Sequence, residues 1–156
     1  MINVMFVCHG NICRSPMAEF IFRDMVAKAN LSDMIKVASA ATSTEEIGNP
    51  VHPGTVRKLR EYGIRDVSGK YAVQFKKKEY NDYNYLIVMD RNNERNLMRM
   101  LGGQDPDKKV YKLLEFSERP RDIADPWYTG NFEVTYDDVI EGCQTFLQHI
   151  VENALY

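Results

Sequence analysis

Cysteine is scarce in this sequence, with three in 156 residues. A small, odd number in a chain of this length excludes a disulfide framework and fits a reducing compartment. Long hydrophobic runs are missing as well: the opening "MINVMFV" is too short to span a bilayer. It also lacks a basic n-region and a small-residue cleavage site, so no membrane insertion is expected and the protein reads as cytoplasmic. Nor is there an excess of charge of one sign, because 20 Lys and Arg against 22 Asp and Glu leave a formal charge of -2. No nucleic-acid partner is expected, and the basic run Lys76 to Lys78 reads as a solvated face. Of the three histidines, His52 and His149 are too isolated to form a metal site. Hydrophobic content of 44% and charged content of 27% then exclude disorder, leaving one domain over residues 1–156 with its own core.

What is present alternates between two periods. Ile2 to Val7 is a near-continuous apolar run, as in a strand covered on both faces. Ser15 and Pro16 supply an N-cap and a proline at the first helical position, and Met17, Phe20, Ile21, Met25 and Ala29 follow at helical spacing. Ile35 to Ala40 reads as a second strand, and Gly54 to Tyr62 as a helix capped by Gly63. "YLIVM", residues 85 to 89, is the strongest strand, after which Asp90 opens a helix toward Gly102 and Gly103. "KVYKLL", 108 to 113, reads as a fourth strand. A final helix carries Tyr136, Val139, Ile140, Cys143, Leu147, Ile150 and Ala154 on one stripe, with Cys143 as core. Strands alternating with helices imply an α/β fold in which a parallel sheet has helices on both faces. Ligands of such folds bind at the strand carboxyl ends, where residues 8 to 15 lie. Two longer loops, 42 to 53 and 115 to 132, interrupt the pattern, and loops of that length are commonly functional.

The segment "VCHGNICRSP", 7 to 16, concentrates chemistry on a strand-to-helix turn. Loop amides and a helix N-terminus can converge on an anion, and Arg14 adds a planar fork that clamps two phosphate oxygens. The same positive field favours Cys8 as thiolate, the nucleophilic form. Gly10 opens backbone geometry closed to other residues. Asn11 tolerates a left-handed conformation while its side chain ties the loop together. Ser15 can donate a hydrogen bond to the thiolate. Cys and Arg separated by five residues is a weak signal alone, and its position on the turn makes it a strong one. Expulsion of a phenoxide needs a proton donor. Asp125, restrained by Pro126 and followed by Trp127 and Tyr128, which offer flat surfaces to an aromatic ring, fits that need, and Asp122 competes with it.

"VCHGNICRSP" together with "DPWYTGNF" resembles the low molecular weight protein tyrosine phosphatases over essentially the whole chain. The resemblance implies a four-stranded parallel sheet with the phosphate-binding loop between first strand and first helix. It implies hydrolysis of phosphotyrosine in proteins, and of small aryl phosphates, through a phosphocysteine intermediate without metal or other cofactor. Matched residue by residue, Cys8 is the nucleophile, Arg14 the phosphate ligand and Asp125 the general acid. Asn11, Ser15 and Ser39 buttress the loop, whose remaining members are His9, Gly10, Ile12 and Cys13. Glu45, Trp127 and Tyr128 form the substrate wall. The chain departs from many relatives at Lys70 and Val73, which alters the polar support behind the loop, at Glu45, an aromatic position in some relatives, and at His9, placed at the pocket rim. A phosphoarginine-directed branch carries threonine where Ile12 stands, so an aromatic phosphoester is the expected substrate. Arsenate reduction on this scaffold needs cysteines that are lacking between Cys13 and Cys143. Cys13 is near enough in sequence to trap an oxidised Cys8 as a reversible disulfide, or it packs beneath the loop.

Overall fold

Apolar runs with no polar face to offer water become strands covered on both sides, and here they form a single sheet. The computed structural model describes residues 1–155. Strands β1 (Ile2–Cys8), β2 (Ile35–Ala41), β3 (Tyr85–Val88) and β4 (Val110–Lys112) are parallel and lie in the order β2-β1-β3-β4. Helices α1 (Arg14–Lys28), α2 (Pro53–Tyr62), α3 (Arg91–Met100), α4 (Pro126–Thr129) and α5 (Phe132–Asn153) complete the fold. Cys8 pairs with Ala41 across β2, and Val7 with Val88 across β3, so the strand carboxyl ends share one rim.

The two-residue period of β1 divides its side chains between two cores. Val4, Phe6 and Cys8 face α1 and α5, while Met5 and Val7 face Leu97 and Leu101 on the α3 side. On the first face Phe6, Phe22 and Phe146 pack ring to ring with centroids 5.1 to 6.2 Å apart. Close approach of α5 depends on Gly142, where a Cβ would lie 2.5 Å from Leu113 Cγ. After β1 the chain winds to β2 on one side and later places β3 on the other. The crevice at the carboxyl ends of β1 and β3 is therefore the topological switch point, where such folds bind ligands.

Three features differ from the sequence reading. The fourth strand shrinks from 108–113 to Val110–Lys112, because Leu113 and Leu114 enter a 3-10 turn (Leu113–Phe116) and are fully buried. The 115–132 segment is not structureless, since it contains α4 and the cap of α5, where the Asn131 side chain accepts from Val134 N–H. The buried stripe of α5 includes Phe146 beside Val139, Cys143 and Ile150. Asp90 opens α3 as read, its side chain accepting from Asn93 N–H at 2.7 Å. Among the described residues no helix is long and apolar enough to cross a membrane.

Candidate active site

The rim of the switch point is built by the loop from Cys8 to Ser15. Cys8 ends β1 with 3% of its surface exposed. Its Sγ accepts from Asn11 N–H at 3.3 Å and lies 3.0 Å from Ser15 Oγ. The loop can wrap the sulfur because Asn11 adopts a left-handed backbone, φ 58°. The Asn11 side chain then spans three segments. Its Nδ2 donates to Ser15 Oγ at 2.8 Å and Ser39 Oγ at 2.9 Å, and its Oδ1 accepts from Val73 N–H at 3.1 Å. The second loop fastens the entry to this turn, with Thr42 N–H donating to the Cys8 carbonyl and Ser43 N–H to that of His9.

Two details of the turn correct the sequence reading. Ser15 is not the N-cap: Cys13 holds that position without a side-chain cap, and Ser15 sits inside the first turn with its hydroxyl against the sulfur. Pro16 is accordingly the third helical residue and not the first, and since the first helical bond runs from Met17 N–H to the Cys13 carbonyl it still occupies a position that needs no donor. Gly10 does not adopt the left-handed backbone, a part taken by Asn11. Glycine at position 10 saves space instead, since a Cβ there would come within 3.2 Å of Glu46 Cγ.

Arg14 opens α1 and is 2% exposed. Its Nη1 donates to Asp90 Oδ2 at 2.6 Å and to the Ile123 carbonyl at 2.8 Å, and its Nη2 to Asp125 Oδ2 at 3.3 Å. Burial alone would push the guanidinium down, but Cys8, Asp90 and Asp125 outweigh it and hold the charge. Asp125 caps α4, its Oδ1 accepting from Trp127 N–H at 3.0 Å. The backbone on its N-terminal side is fixed by Ile123, wholly buried, and by Thr135, whose hydroxyl donates to the Ala124 carbonyl at 2.9 Å. Asp122 looks elsewhere, accepting from Lys112 Nζ at 3.0 Å and Arg91 N–H at 3.3 Å. Partial burial pushes its carboxyl up, yet those two donors hold it below the usual carboxylate range.

Around the opening stand Ile12, Glu45, Glu46, Trp127 and Tyr128, with His9 and Cys13. His9 reaches the rim, where Nε2 lies 2.9 Å from Glu45 Oε2. Trp127 and Tyr128 are 58% and 81% exposed, and the Trp127 ring meets His52 edge-on at 5.9 Å. Cys13 is buried beneath the opening. That burial, reinforced by the charges of Cys8 and Asp125, pushes its thiol up to about 12. All three cysteines are free. Ser39 lies behind the loop, its hydroxyl donating to Glu19 Oε1. Lys70 Nζ approaches the same oxygen at 3.2 Å and donates to the Ser39 carbonyl at 3.0 Å, so Lys70 is part of the polar support behind the loop. His52 is a helix cap, its Nδ1 accepting from Gly54 N–H. The sequence reading missed Asp90 as a partner of Arg14, although an acid at the end of the strongest strand was a usable sign. It missed Glu19 too, for which one amphipathic helix offers no local sign.

A thiol and a guanidinium converging on one loop at a strand carboxyl end, with a carboxyl in the same opening, make a site of the phosphate-binding class. The comparisons agree with that class. The family model for low molecular weight phosphotyrosine protein phosphatase matches residues 3–155. The chain is 43% identical over 152 residues to the low molecular weight protein-tyrosine-phosphatase YfkJ of Bacillus subtilis, covering 96% of each. It is 40% identical over 157 residues to PtpA of Staphylococcus aureus, covering 99% of this chain and 97% of that one. The crystal structure of YfkJ has a TM-score of 0.94 at 42% identity, covering 99% of this chain and 97% of that chain. The chain belongs to the low molecular weight phosphotyrosine protein phosphatase family and is an enzyme of that kind.

Proposed function

We propose that the protein hydrolyses phosphotyrosine in proteins, and small aryl phosphates, through a phosphocysteine formed on Cys8 and without a metal. The observation that carries this reading is the Cys8 sulfur facing an N–H of its own loop, with the Arg14 guanidinium and the Asp125 carboxyl in the same opening. Loop amides and Arg14 bind the phosphoryl oxygens, which compete with the long 3.3 Å contact between Arg14 and Asp125. The Cys8 thiolate attacks phosphorus as the bond to the phenolic oxygen breaks. The Asp125 carboxyl protonates that oxygen, so the phenol leaves neutral and Asp125 is left ionised. Water then attacks phosphorus, giving its proton to Asp125. The P–S bond breaks, inorganic phosphate leaves and the thiolate returns.

Asp125 is favoured over Asp122 because Asp122 is engaged by Lys112 and the Arg91 amide and does not line the opening. Trp127, Tyr128 and Ile12 supply apolar surface for an aromatic ring, while Glu45 and His9 shape the opposite rim. The partner is a phosphotyrosine-containing protein, met in the cytoplasm, where three free thiols persist. Turnover of a phosphotyrosine peptide and of phosphoarginine, measured in excess chelator, tests this directly. Phosphotyrosine should be hydrolysed faster, and a faster rate on phosphoarginine, or loss of activity to the chelator, would overturn it.

A further inference from the structure

Behind the nucleophile a chain of hydrogen bonds ends on a buried carboxylate, and counting donors fixes its direction. Val73 N–H donates to Asn11 Oδ1, so the amide cannot be turned over and Nδ2 faces both serines. Ser39 accepts from Asn11 and gives its one proton to Glu19, which only accepts when ionised. Ser15 also accepts from Asn11, and among the described residues the acceptor left for its proton is Cys8 Sγ at 3.0 Å. Glu19 is 6% exposed, and such a carboxylate stays charged only when paired. Lys70 Nζ and Arg23 Nη2 supply that pairing.

We propose that Glu19, paired with Lys70 and Arg23, is a positioning residue for Cys8: it sets the direction of the Ser39, Asn11 and Ser15 hydrogen bonds so that Ser15 donates to the sulfur. Glutamine in place of Glu19 could still accept from Ser39 through its Oε1, whereas methionine removes the acceptor and frees the Ser39 proton to turn toward Asn11. Turning Asn11 over to relieve this would draw the Ser15 proton to Asn11 Oδ1 and away from Cys8. The inference rests on Cys8 being the nucleophile, but it can be read without turnover. Charged and titratable groups facing Glu19 are Lys70, Arg23 and Tyr83. Those sharing the opening with Cys8 are Arg14, His9, Cys13, Glu45, Glu46 and Asp125.

The test is iodoacetamide alkylation of Cys8, followed by peptide mapping from pH 5 to the high-pH plateau. In Glu19→Met the rate at low pH, relative to the plateau, should fall about tenfold, the scale of one hydrogen bond to a charged group. Ser15→Ala should show the same fall, and adding Glu19→Met to Ser15→Ala should change nothing further. Lys70→Met should reproduce part of the loss and Lys70→Arg should recover most of it. Unchanged relative reactivity in Glu19→Met would overturn the proposal. A full second loss on top of Ser15→Ala would also overturn it, because Glu19 would then act by another route, loosening of the fold included. Failure of phosphotyrosine hydrolysis alone would leave this alkylation pattern intact and would count against the substrate reading instead.

Discussion

Arg14 is as deeply buried as the phenylalanines of the core, yet it carries a charge that two carboxylates share. Asp90 fixes one edge of the guanidinium, and the other edge, toward Asp125, is held by a longer bond. Replacing it with lysine leaves one charge centre for three acceptors, so Arg14→Lys should lower kcat by roughly 10² to 10³, the scale of losing a positioned donor to developing charge. Asp125→Ala should cost about 10² to 10⁴ in kcat on phosphotyrosine. The loss should be much smaller on an aryl phosphate with a strongly acidic phenol, whose oxygen leaves without a proton. A series of aryl phosphates of graded phenol pKa measures this. If Asp122→Ala steepens the leaving-group dependence and Asp125→Ala does not, the acid is Asp122. The cysteines should also separate by reactivity. Burial holds Cys13 near 12 and raises Cys143 further, so both remain thiols at neutral pH. Alkylation at pH 7 should mark Cys8 first, and preferential labelling of Cys13 would contradict this ordering.

The segment that carries Asp125 is tied to α5 by Arg121. Its Nη2 donates to Asp138 at 2.7 Å and to Glu141 at 3.0 Å, and the Ser117 hydroxyl also donates to Glu141. The hydrogen bonds from Arg121, then Ser117, pull the Glu141 carboxyl from 4.5 to about 2. A carboxyl with a lowered folded value stabilises fully above its unfolded value and loses that contribution as pH falls through the folded one. Arg121→Met should therefore lower the urea midpoint at neutral pH, and its gap to the unmodified protein should close between about 4.5 and 2. Because Glu141 is more than a third exposed, the gap should stay within about 1 kcal/mol. A gap independent of pH would show that the ion pair contributes nothing. Elements were legible in the sequence where a local period sufficed: β1, β2 and β3 as apolar runs, α2 from its terminal Gly63, and the anion loop from residue types on one turn. They were misjudged where neighbours decide. Leu113 leaves β4 because α5 covers it, and Ser15 forgoes capping because the sulfur is there. Glu19 meets Ser39, and Asp90 meets Arg14, only across the fold, so neither pairing is visible in a local window, although the place of Asp90 at the end of a central strand marks it as a rim residue.

The whole molecule holds a thiol and a guanidinium from one loop and a carboxyl from a distant segment within one opening, and the rigidity for that comes from the sheet and α5 packing against it. Phe146 joins these layers, with its ring 5.1 Å from Phe22 and 6.2 Å from Phe6. Phe146→Ala should destabilise the protein by about 3 to 5 kcal/mol in equilibrium denaturation, and a loss below about 1 kcal/mol would mean the layers are held elsewhere. Reaction through sulfur is a separate matter from stability, and covalent trapping reads it directly. Asp125→Ala mixed with an aryl phosphate of a strongly acidic phenol should form the phosphoenzyme readily and hydrolyse it slowly, since the carboxylate that accepts the proton of water is gone. Quenching during turnover and mapping the phosphate by mass spectrometry should place it on Cys8, with none in Cys8→Ser, and phosphate on any other residue, or hydrolysis that survives Cys8→Ser, would refute catalysis through this cysteine.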